Sequence, residues 1–212
     1  MLEVLNLTCE RFDKTLLSEV SFSVSPGEVL HIQGPNGMGK STLLQYLAGL
    51  LPYEEGSIAW QGTAITQDLE AFQQQVHWFG QMLGFNPHMT LRQNLTAYAT
   101  LYGCDKSMLG KHCEVFDVGG FMDKPMQWLS HGQRQRGCLT RLLVHPAKLW
   151  LLDEPYTGLD TTWCAETTNL IETHVKAGGL AVVVSHQPLL FSDITCHQLS
   201  LTETEVLYEQ MA

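Results

Sequence analysis

One glycine-rich stretch constrains this chain more than any other part of it. Its nine residues are Gly34, Pro35, Asn36, Gly37, Met38, Gly39, Lys40, Ser41 and Thr42. They fit the pattern Gly, four residues, Gly-Lys-Ser/Thr that is typical of a phosphate-binding loop. Residues 29–33 before the loop predict a strand, and residues 43–50 after it predict a helix. Backbone N–H groups of such a loop and the positive end of the helix attract an anion, so the sequence predicts a nucleotide-binding site.

Composition narrows the class of protein. The chain has 212 residues, of which 44% are hydrophobic and 16% charged, and this suits one packed domain. The net charge of −10 argues against nucleic-acid binding and against docking on anionic lipid by charge alone.

The six cysteines are scattered, with no Cys-x-x-Cys pair, which predicts free thiols in a reducing compartment. With no signal sequence and no apolar run near the roughly 20 residues that cross a bilayer, we expect a cytosolic, non-spanning protein.

Charge is unevenly distributed along the chain. Residues 127–146 contain no Asp or Glu but hold Arg134, Arg136 and Arg141. This basic segment is a candidate site for a polyphosphate or an acidic partner. The alternative is a helix whose arginines are simply solvated, and the charge pattern leaves both possibilities open.

Hydrophobic periodicity predicts an α/β fold. Alternation over residues 2–8 and 16–24 predicts a small antiparallel β layer. Continuous apolar runs at 149–152 and 180–184 predict strands that are covered on both faces of a sheet. Further strands are predicted at 57–60, 76–80, 196–201 and 205–208, and helices at 91–102, 107–118, 130–144 and 160–175.

The order of these elements predicts a single domain, residues 1–212, with an insert. Helical patterns dominate residues 82–145. We therefore expect a core of about 1–81 and 146–212 and a helical subdomain of about 82–145 between its two parts.

Polar residues follow three of the predicted strands. They are Gln81, the pair Asp153 and Glu154, and His186. The carboxyl ends of the strands in an open α/β sheet form the edge at which ligands bind. These side chains are therefore candidates for the nucleotide site.

Six motifs follow one another in a set order. They are the phosphate-binding loop, Gln81, the Ser-His-Gly-Gln segment 130–133, the pair Asp153 and Glu154, the Gly-Leu-Asp of residues 158–160, and His186. In this order and spacing the chain resembles the ATP-binding-cassette ATPases over essentially its whole length. The resemblance implies a P-loop NTPase of ABC type, with a mainly parallel core sheet, flanking helices, a small antiparallel β layer and an α-helical subdomain. It also implies ATP and Mg²⁺ as cofactors.

The resemblance assigns roles at the site. It implies that the phosphate-binding loop, with Lys40, holds the ATP phosphates, and that Ser41, Gln81 and Asp153 arrange Mg²⁺. Glu154 would polarise the attacking water, and His186 would contact the γ-phosphate and help to orient that water.

Three further assignments belong to this site. Gln81 is counted with Glu154 and His186 among the catalytic residues. Glu154 has an alternative role as a second structural acid. Phe12 either stacks on the nucleobase or packs in the core.

The segment 130–133 is implied to act on a second copy of the chain. In the family, this segment completes the site of the opposite subunit, so that two ATP molecules are sandwiched in a head-to-tail homodimer. Ser130 and the N–H of Gly132 would bind the γ-phosphate from across the interface, at the start of a helix that Ser130 caps, and Gln133 is counted with them among the nucleotide-binding residues. Asp160 belongs to the loop that contacts the opposite subunit.

The chain departs from the family pattern at two positions. His131 stands where the family usually has glycine, so a positive backbone φ would be costly there. Either the backbone at His131 is ordinary, or the site is tuned to slow turnover. The loop 157–160 reads Thr-Gly-Leu-Asp where Ser-Ala-Leu-Asp is common, which is a milder variation.

Within the family, the chain is similar to the ATPase subunits of the haem exporters of cytochrome c maturation. The similar segments are 7–11, 60–62, 149–155 and 185–189, and the short length without a regulatory domain also matches. The similarity implies integral membrane subunits of the haem exporter as partners, a peripheral position on the cytoplasmic face of the inner membrane, and release of a haem-loaded chaperone. No direct haem binding by this chain is expected. The alternatives are a transporter ATPase for a peptide, lipid or metal cargo, or a soluble ATPase that acts away from membranes.

Overall fold

The computed structural model describes residues 1–11, 14–80, 84–202 and 206–211. Its strands are β1 (Leu2–Arg11), β2 (Lys14–Val24), β3 (Glu28–Gln33), β4 (Ser57–Trp60), β5 (Thr63–Ala64), β6 (Val76–Phe79), β7 (Leu149–Asp153), β8 (Leu180–Val184), β9 (Thr195–Leu201) and β10 (Val206–Met211). Its α-helices are α1 (Lys40–Leu47), α2 (Leu69–Gln73), α3 (Leu91–Leu101), α4 (Leu109–Val115), α5 (His131–Leu139), α6 (Arg141–Val144) and α7 (Thr161–Lys176). Over these residues, no helix is both long and apolar enough to cross a membrane.

A six-stranded sheet lies at the centre of the fold. Its strand order is β10-β9-β3-β8-β7-β6. Neighbouring strands are parallel except for β10, which runs antiparallel to β9. A second sheet, in the order β2-β1-β4-β5, is antiparallel throughout. The predicted fold class, with a mainly parallel core sheet and a small antiparallel layer, is confirmed.

Continuous apolar strands give the central sheet a core on each face. Every residue of β7 and β8 is buried. Successive side chains of a strand point to opposite faces, so in β7 Leu149 and Leu151 join one core while Trp150 and Leu152 join the other. The first core also contains residues of α1 and of the antiparallel sheet, and the second contains residues of α7 and of α3 to α6. The sheet is therefore covered on both sides, as its sequence requires.

The region between β6 and β7 is mainly helical. Single-turn 3-10 helices at Lys106–Met108, Gly119–Phe121 and Met126–Trp128 accompany α3, α4, α5 and α6. The predicted helix 107–118 is shorter than expected, because only α4 within it is α-helical. The short elements β5 and α2 were not predicted.

The predicted helix 130–144 is interrupted at Thr140. Its hydroxyl donates to the Arg136 carbonyl at 3.0 Å, and the Leu143 N–H bonds the Thr140 carbonyl at 3.2 Å in the manner of a 3-10 turn. A threonine hydroxyl that competes for backbone carbonyls in this way commonly bends or tightens a helix. The run consequently divides into α5 and α6.

Candidate active site

The carboxyl ends of β3, β7 and β8 meet at one edge of the central sheet. The strands are parallel neighbours in the order β3-β8-β7. A cavity of about 610 Å³ opens at this edge. It is lined by Leu16, Asn36, Gly37, Gly39, Lys40, Ser41, Thr42, Asp153, Glu154, Thr157, Val184 and His186. The structure thus brings together the phosphate-binding loop, the acidic pair and the histidine that the sequence analysis selected.

The phosphate-binding loop uses glycine where its backbone turns. Gly37 and Gly39 have φ values of 84° and 88°, which residues with a Cβ rarely adopt. Gly39 is also the N-cap of α1, so the unpaired N–H groups of the helix start belong to the cavity-lining segment. A Cβ on Gly34, at φ 148°, would collide with the carbonyl oxygen of Leu201. This backbone is suited to holding an anion.

The Lys40 ammonium is held by its own loop. Its Nζ donates to the carbonyl oxygens of Gly34 and Pro35 at 2.7 and 2.8 Å. Burial lowers the pKa of Lys40, and the negative charges of Glu154 and Asp153 oppose that shift. A phosphate oxygen is a stronger acceptor for this cation than two neutral carbonyls. The ammonium can therefore leave the loop for an anion in the cavity.

Ser41 and Asp153 form the part of the site that fits a divalent cation. The two side chains are hydrogen-bonded to each other, and burial raises the pKa of Asp153 against the effects of Ser41 and Lys40. The Oδ1 atom of Asp153 is buried and has no hydrogen-bond partner in the described part of the chain. Hydroxyl and carboxylate oxygens beside a phosphate site are what Mg²⁺ prefers. The third predicted ligand, Gln81, lies outside the described residues.

Three side chains meet across the cavity at His186. Its Nε2 donates to Oδ1 of Asn36 at 2.9 Å and lies 3.4 Å from Oε1 of Glu154. The second contact is at ion-pair distance but is not an aligned hydrogen bond, since that Oε1 atom has no hydrogen-bond partner among the described residues. Burial raises the pKa of Glu154, and the nearby His186 opposes the shift. A carboxylate with a raised pKa and an uncommitted oxygen is suited to accept a proton from water.

The backbone at Glu154 adopts an uncommon conformation. Its φ is 52°, in the left-handed region that few residues other than glycine occupy. The Glu154 N–H bonds the Val184 carbonyl at 2.9 Å, which ties the end of β7 to the end of β8. Strained backbone of this kind is often found at functional sites.

The segment 130–133 begins α5 with a capping box. The Ser130 hydroxyl accepts from the Gln133 N–H at 3.2 Å, and Oε1 of Gln133 accepts from the Ser130 N–H at 3.0 Å. The predicted N-cap is confirmed, and each side chain accepts from the backbone N–H of the other residue. None of residues 130–133 lines the 610 Å³ cavity. Instead, His131 lines an adjoining cavity of about 280 Å³, which shares Asp153, Glu154 and Thr157 with the larger one.

Two predicted details of the segments expected to contact a second copy can be compared with the structure. His131 is the first residue of α5, and its φ is not positive. The first alternative for this position, an ordinary backbone, is therefore correct. Asp160 caps α7, because its carboxylate accepts from the Trp163 N–H at 3.0 Å.

The basic segment is explained by packing. The Arg136 guanidinium lies 4.4 Å from the Trp163 ring and donates to the Phe116 carbonyl at 3.0 Å. Arg141 is only 6% exposed, and Phe85 is one of three aromatic rings around its guanidinium. Neither arginine lines the 610 Å³ cavity. Two of the three arginines are therefore neither solvated nor placed for a polyphosphate.

Some residues that line the cavity were not predicted, and some predicted site residues cannot be compared with the structure. Leu16 and Thr157 line the cavity although neither was predicted as a nucleotide-binding residue, because their position depends on how distant elements pack. Met38, predicted to bind the nucleotide, has its side chain against the hydrophobic core. Phe12, like Gln81, lies outside the described residues.

Comparisons with known proteins agree on one family. A family model for ABC transporters matches residues 17–157. The chain is 36% identical over 207 residues to the cytochrome c biogenesis ATP-binding export protein CcmA of Escherichia coli O157:H7, covering 98% of this chain and 99% of that protein. It is 37% identical over 205 residues to CcmA 2 of Salmonella paratyphi A, covering 97% and 98%.

Solved structures show the same fold. A putative ABC transporter ATP-binding protein from Pyrococcus furiosus matches with a TM-score of 0.80 and 25% identity, covering 94% of this chain and 96% of that one. An ATP-binding cassette solved as a dimer in a post-hydrolysis state, bound to ADP and Pi, matches with a TM-score of 0.86 and 22% identity, covering 100% and 99%.

Proposed function

Because the chain belongs to the ABC transporter family, we propose that it is the ATP-hydrolysing subunit of an export complex for cytochrome c biogenesis, with haem as the cargo. The observation that carries this proposal is the arrangement of one cavity. Lys40, the hydrogen-bonded Ser41 and Asp153, and the contact of Glu154 with His186 all lie at the phosphate-binding edge of the sheet. The similar proteins of Escherichia coli and Salmonella are named cytochrome c biogenesis ATP-binding export proteins, and this supports the export role.

Each of the main residues of the cavity has a different role in ATP hydrolysis. Lys40 exchanges its two loop carbonyls for phosphate oxygens of ATP. Glu154 accepts a proton as a water oxygen attacks the γ-phosphorus and the bond to the ADP oxygen breaks. His186, fixed by Asn36, contacts the γ-phosphate and orients the water. Phosphoryl transfer depends mainly on such positioning and on neutralising charge.

Ser41 and Asp153 fit a bound Mg²⁺ ion. When bound, the ion would neutralise charge on the β- and γ-phosphates. The buried Oδ1 atom of Asp153, which lacks a hydrogen-bond partner in the described part of the chain, supports this assignment. Gln81 is proposed as a third ligand from the family resemblance alone.

A second copy of the chain completes each site in this proposal. Ser130, Gly132 and Gln133 at the start of α5 would reach the ATP of the opposite subunit, and Asp160 would lie at the same interface. Their absence from the cavity of their own chain and the dimeric structural relative support this arrangement. Closing of the dimer on ATP would drive membrane subunits at the cytoplasmic face of the inner membrane, which release the haem-loaded chaperone. The helical subdomain, about 82–145, would carry the contact to those subunits.

Genetic complementation tests the export role. Deletion of the gene in its host should abolish covalently haem-stained c-type cytochromes in membranes, and the intact gene should restore them. Genes carrying Lys40→Ala or Glu154→Gln should not restore them at equal protein levels, whereas Glu70→Gln, an exposed glutamate of α2 outside the helical subdomain, should. Normal c-type cytochromes in the deletion strain would refute the haem role and favour another cargo, while ATP hydrolysis by the purified protein would still support the ATPase assignment.

A further inference from the structure

The two positions at which this chain departs from the family pattern touch each other. Gly158 has a φ of 77°. A Cβ built on Gly158 would overlap the Nδ1 and Cε1 atoms of the His131 imidazole. The ring therefore occupies the space that a methyl group at position 158 would fill. Gly132 approaches the same residue, because a Cβ there would lie 2.8 Å from the Gly158 carbonyl oxygen.

We propose that His131 and Gly158 are a compensated pair, in which the imidazole replaces a side chain at position 158 and sets the position of the loop 154–160 against α5. With the imidazole in this position, a side chain at 158 would have to displace it. A glycine at 131 would leave room for alanine at 158. His131 acts here as a positioning residue, because its ring packs against the loop at Gly158.

The start of α5 is attached to this loop at a second point. Gln135 is buried, and its Nε2 donates to the carbonyl oxygens of Pro155 at 2.9 Å and Glu154 at 3.4 Å. Gln135 therefore holds the loop near its beginning, and the His131 ring packs against it near its end. The 280 Å³ cavity between them is lined by His131, Glu154 and Thr157 among others. A shift of the imidazole would be transmitted to Glu154.

The consequence for catalysis rests on the proposed function. Under that proposal, the start of α5 acts on the ATP of the second copy, and Glu154 acts on the ATP of its own copy. The pair would then link the two sites of a dimer. Its packing can be tested without any assumption about ATP.

A backbone explanation for Gly158 has to be separated from the packing explanation. At φ 77° an alanine is strained whatever lies nearby. That strain is present whether or not His131 is there, so it cancels in a double-mutant cycle. What remains in the cycle is the contact between positions 131 and 158.

The test compares the unchanged protein with Gly158→Ala, His131→Gly and the double variant. We expect Gly158→Ala to lower kcat for ATP about tenfold or more with His131 present, but no more than about threefold in the His131→Gly background. The KM for ATP should stay within about twofold in all four, because the phosphate-binding loop is unchanged. Gly179→Ala serves as a matched control, since its Cβ would overlap the ring of His174 in a similar way away from the cavity. It should lower the melting temperature and leave kcat unchanged.

The melting temperature of the same four proteins, measured without nucleotide, is the second readout of the cycle. Gly158→Ala should lower it clearly more when His131 is present, and loss of soluble protein only in that background would also support the pair. Equal effects of Gly158→Ala in both backgrounds, or insolubility in both, would overturn the proposal. If the unchanged protein hydrolyses no ATP, the proposed function fails, and the melting-temperature cycle still decides whether the pair exists.

Discussion

Replacing Glu154 with glutamine should have opposite effects on hydrolysis and on stability. The substitution removes the carboxylate's charge and keeps its shape beside His186. A general base contributes about 10²–10⁴ in rate, and each factor of ten is about 1.36 kcal/mol of barrier, so Glu154→Gln should raise the barrier by roughly 3–5 kcal/mol. The phosphate-binding loop is untouched, so binding of ATP should be retained.

Stability should change in the other direction. Burial raises the pKa of Glu154 in the folded chain. Between the ordinary carboxyl pKa and this raised value, the folded state holds a proton that the unfolded state has lost. Stability therefore falls as pH rises through that window and stays lower above it. Glutamine has no such charge, so the variant should melt at a higher temperature than the unchanged protein at neutral pH in the absence of nucleotide.

Two measurements check this prediction. Release of phosphate at saturating ATP and Mg²⁺ gives kcat, and calorimetric melting without nucleotide between about pH 4 and pH 8 gives the stability difference. Glu114→Gln, on the exposed surface of α4, is the matched control and should change neither quantity. Unchanged hydrolysis would show that Glu154 is not the proton acceptor. A lower melting temperature at neutral pH would show that contact with His186 outweighs the burial of the carboxylate.

Three further predictions concern other parts of the structure. Lys40→Ala should weaken ATP binding by about a hundredfold or more in a fluorescence titration, because a charge-assisted contact to phosphate is lost, and unchanged affinity would contradict this. Gly34→Ala should lower the free energy of unfolding in urea by about 1–3 kcal/mol, because its Cβ meets the Leu201 carbonyl; a change below about 0.5 kcal/mol would exclude that collision. The rings of His174 and Trp150 stack with their centroids 3.8 Å apart, and burial lowers the pKa of His174 to about 4. As pH falls, His174 therefore takes up a proton in the unfolded chain before it does so in the folded chain. Stability should decrease between about pH 6.5 and pH 4 by at most about 3 kcal/mol, and His174→Asn should remove that part of the pH dependence in urea titrations.

Local rules were enough to predict much of the fold. The buried strands β7 and β8 follow from uninterrupted apolar runs, and the N-cap of α5 follows from Ser130 with Gln133 three residues later. The phosphate-binding loop follows from glycines that its backbone requires. Each of these signals lies within a few residues of the element it specifies.

Features that depend on distant residues were not predictable. The contact of His186 with Asn36 joins residues 150 positions apart, and the packing of Arg136 on Trp163 joins two helices. In both cases the local sequence gives the residue type but not its neighbour. The charge pattern left the role of the basic segment open for this reason, since it does not show that Arg136 and Arg141 will pack on aromatic rings. The interruption at Thr140 has the same origin, because a hydroxyl can bond either outward or back to its own helix.

The central claim is that ATP joins two copies of this chain through Ser130 and its neighbours. Light scattering of the Glu154→Gln protein, which should retain ATP, tests it directly. With ATP and Mg²⁺, the mass should rise from the 23.7 kDa of one chain to twice that value, and it should return to one chain when Ser130→Arg is added. A protein that binds one ATP per chain and stays at the mass of a single chain would contradict the account.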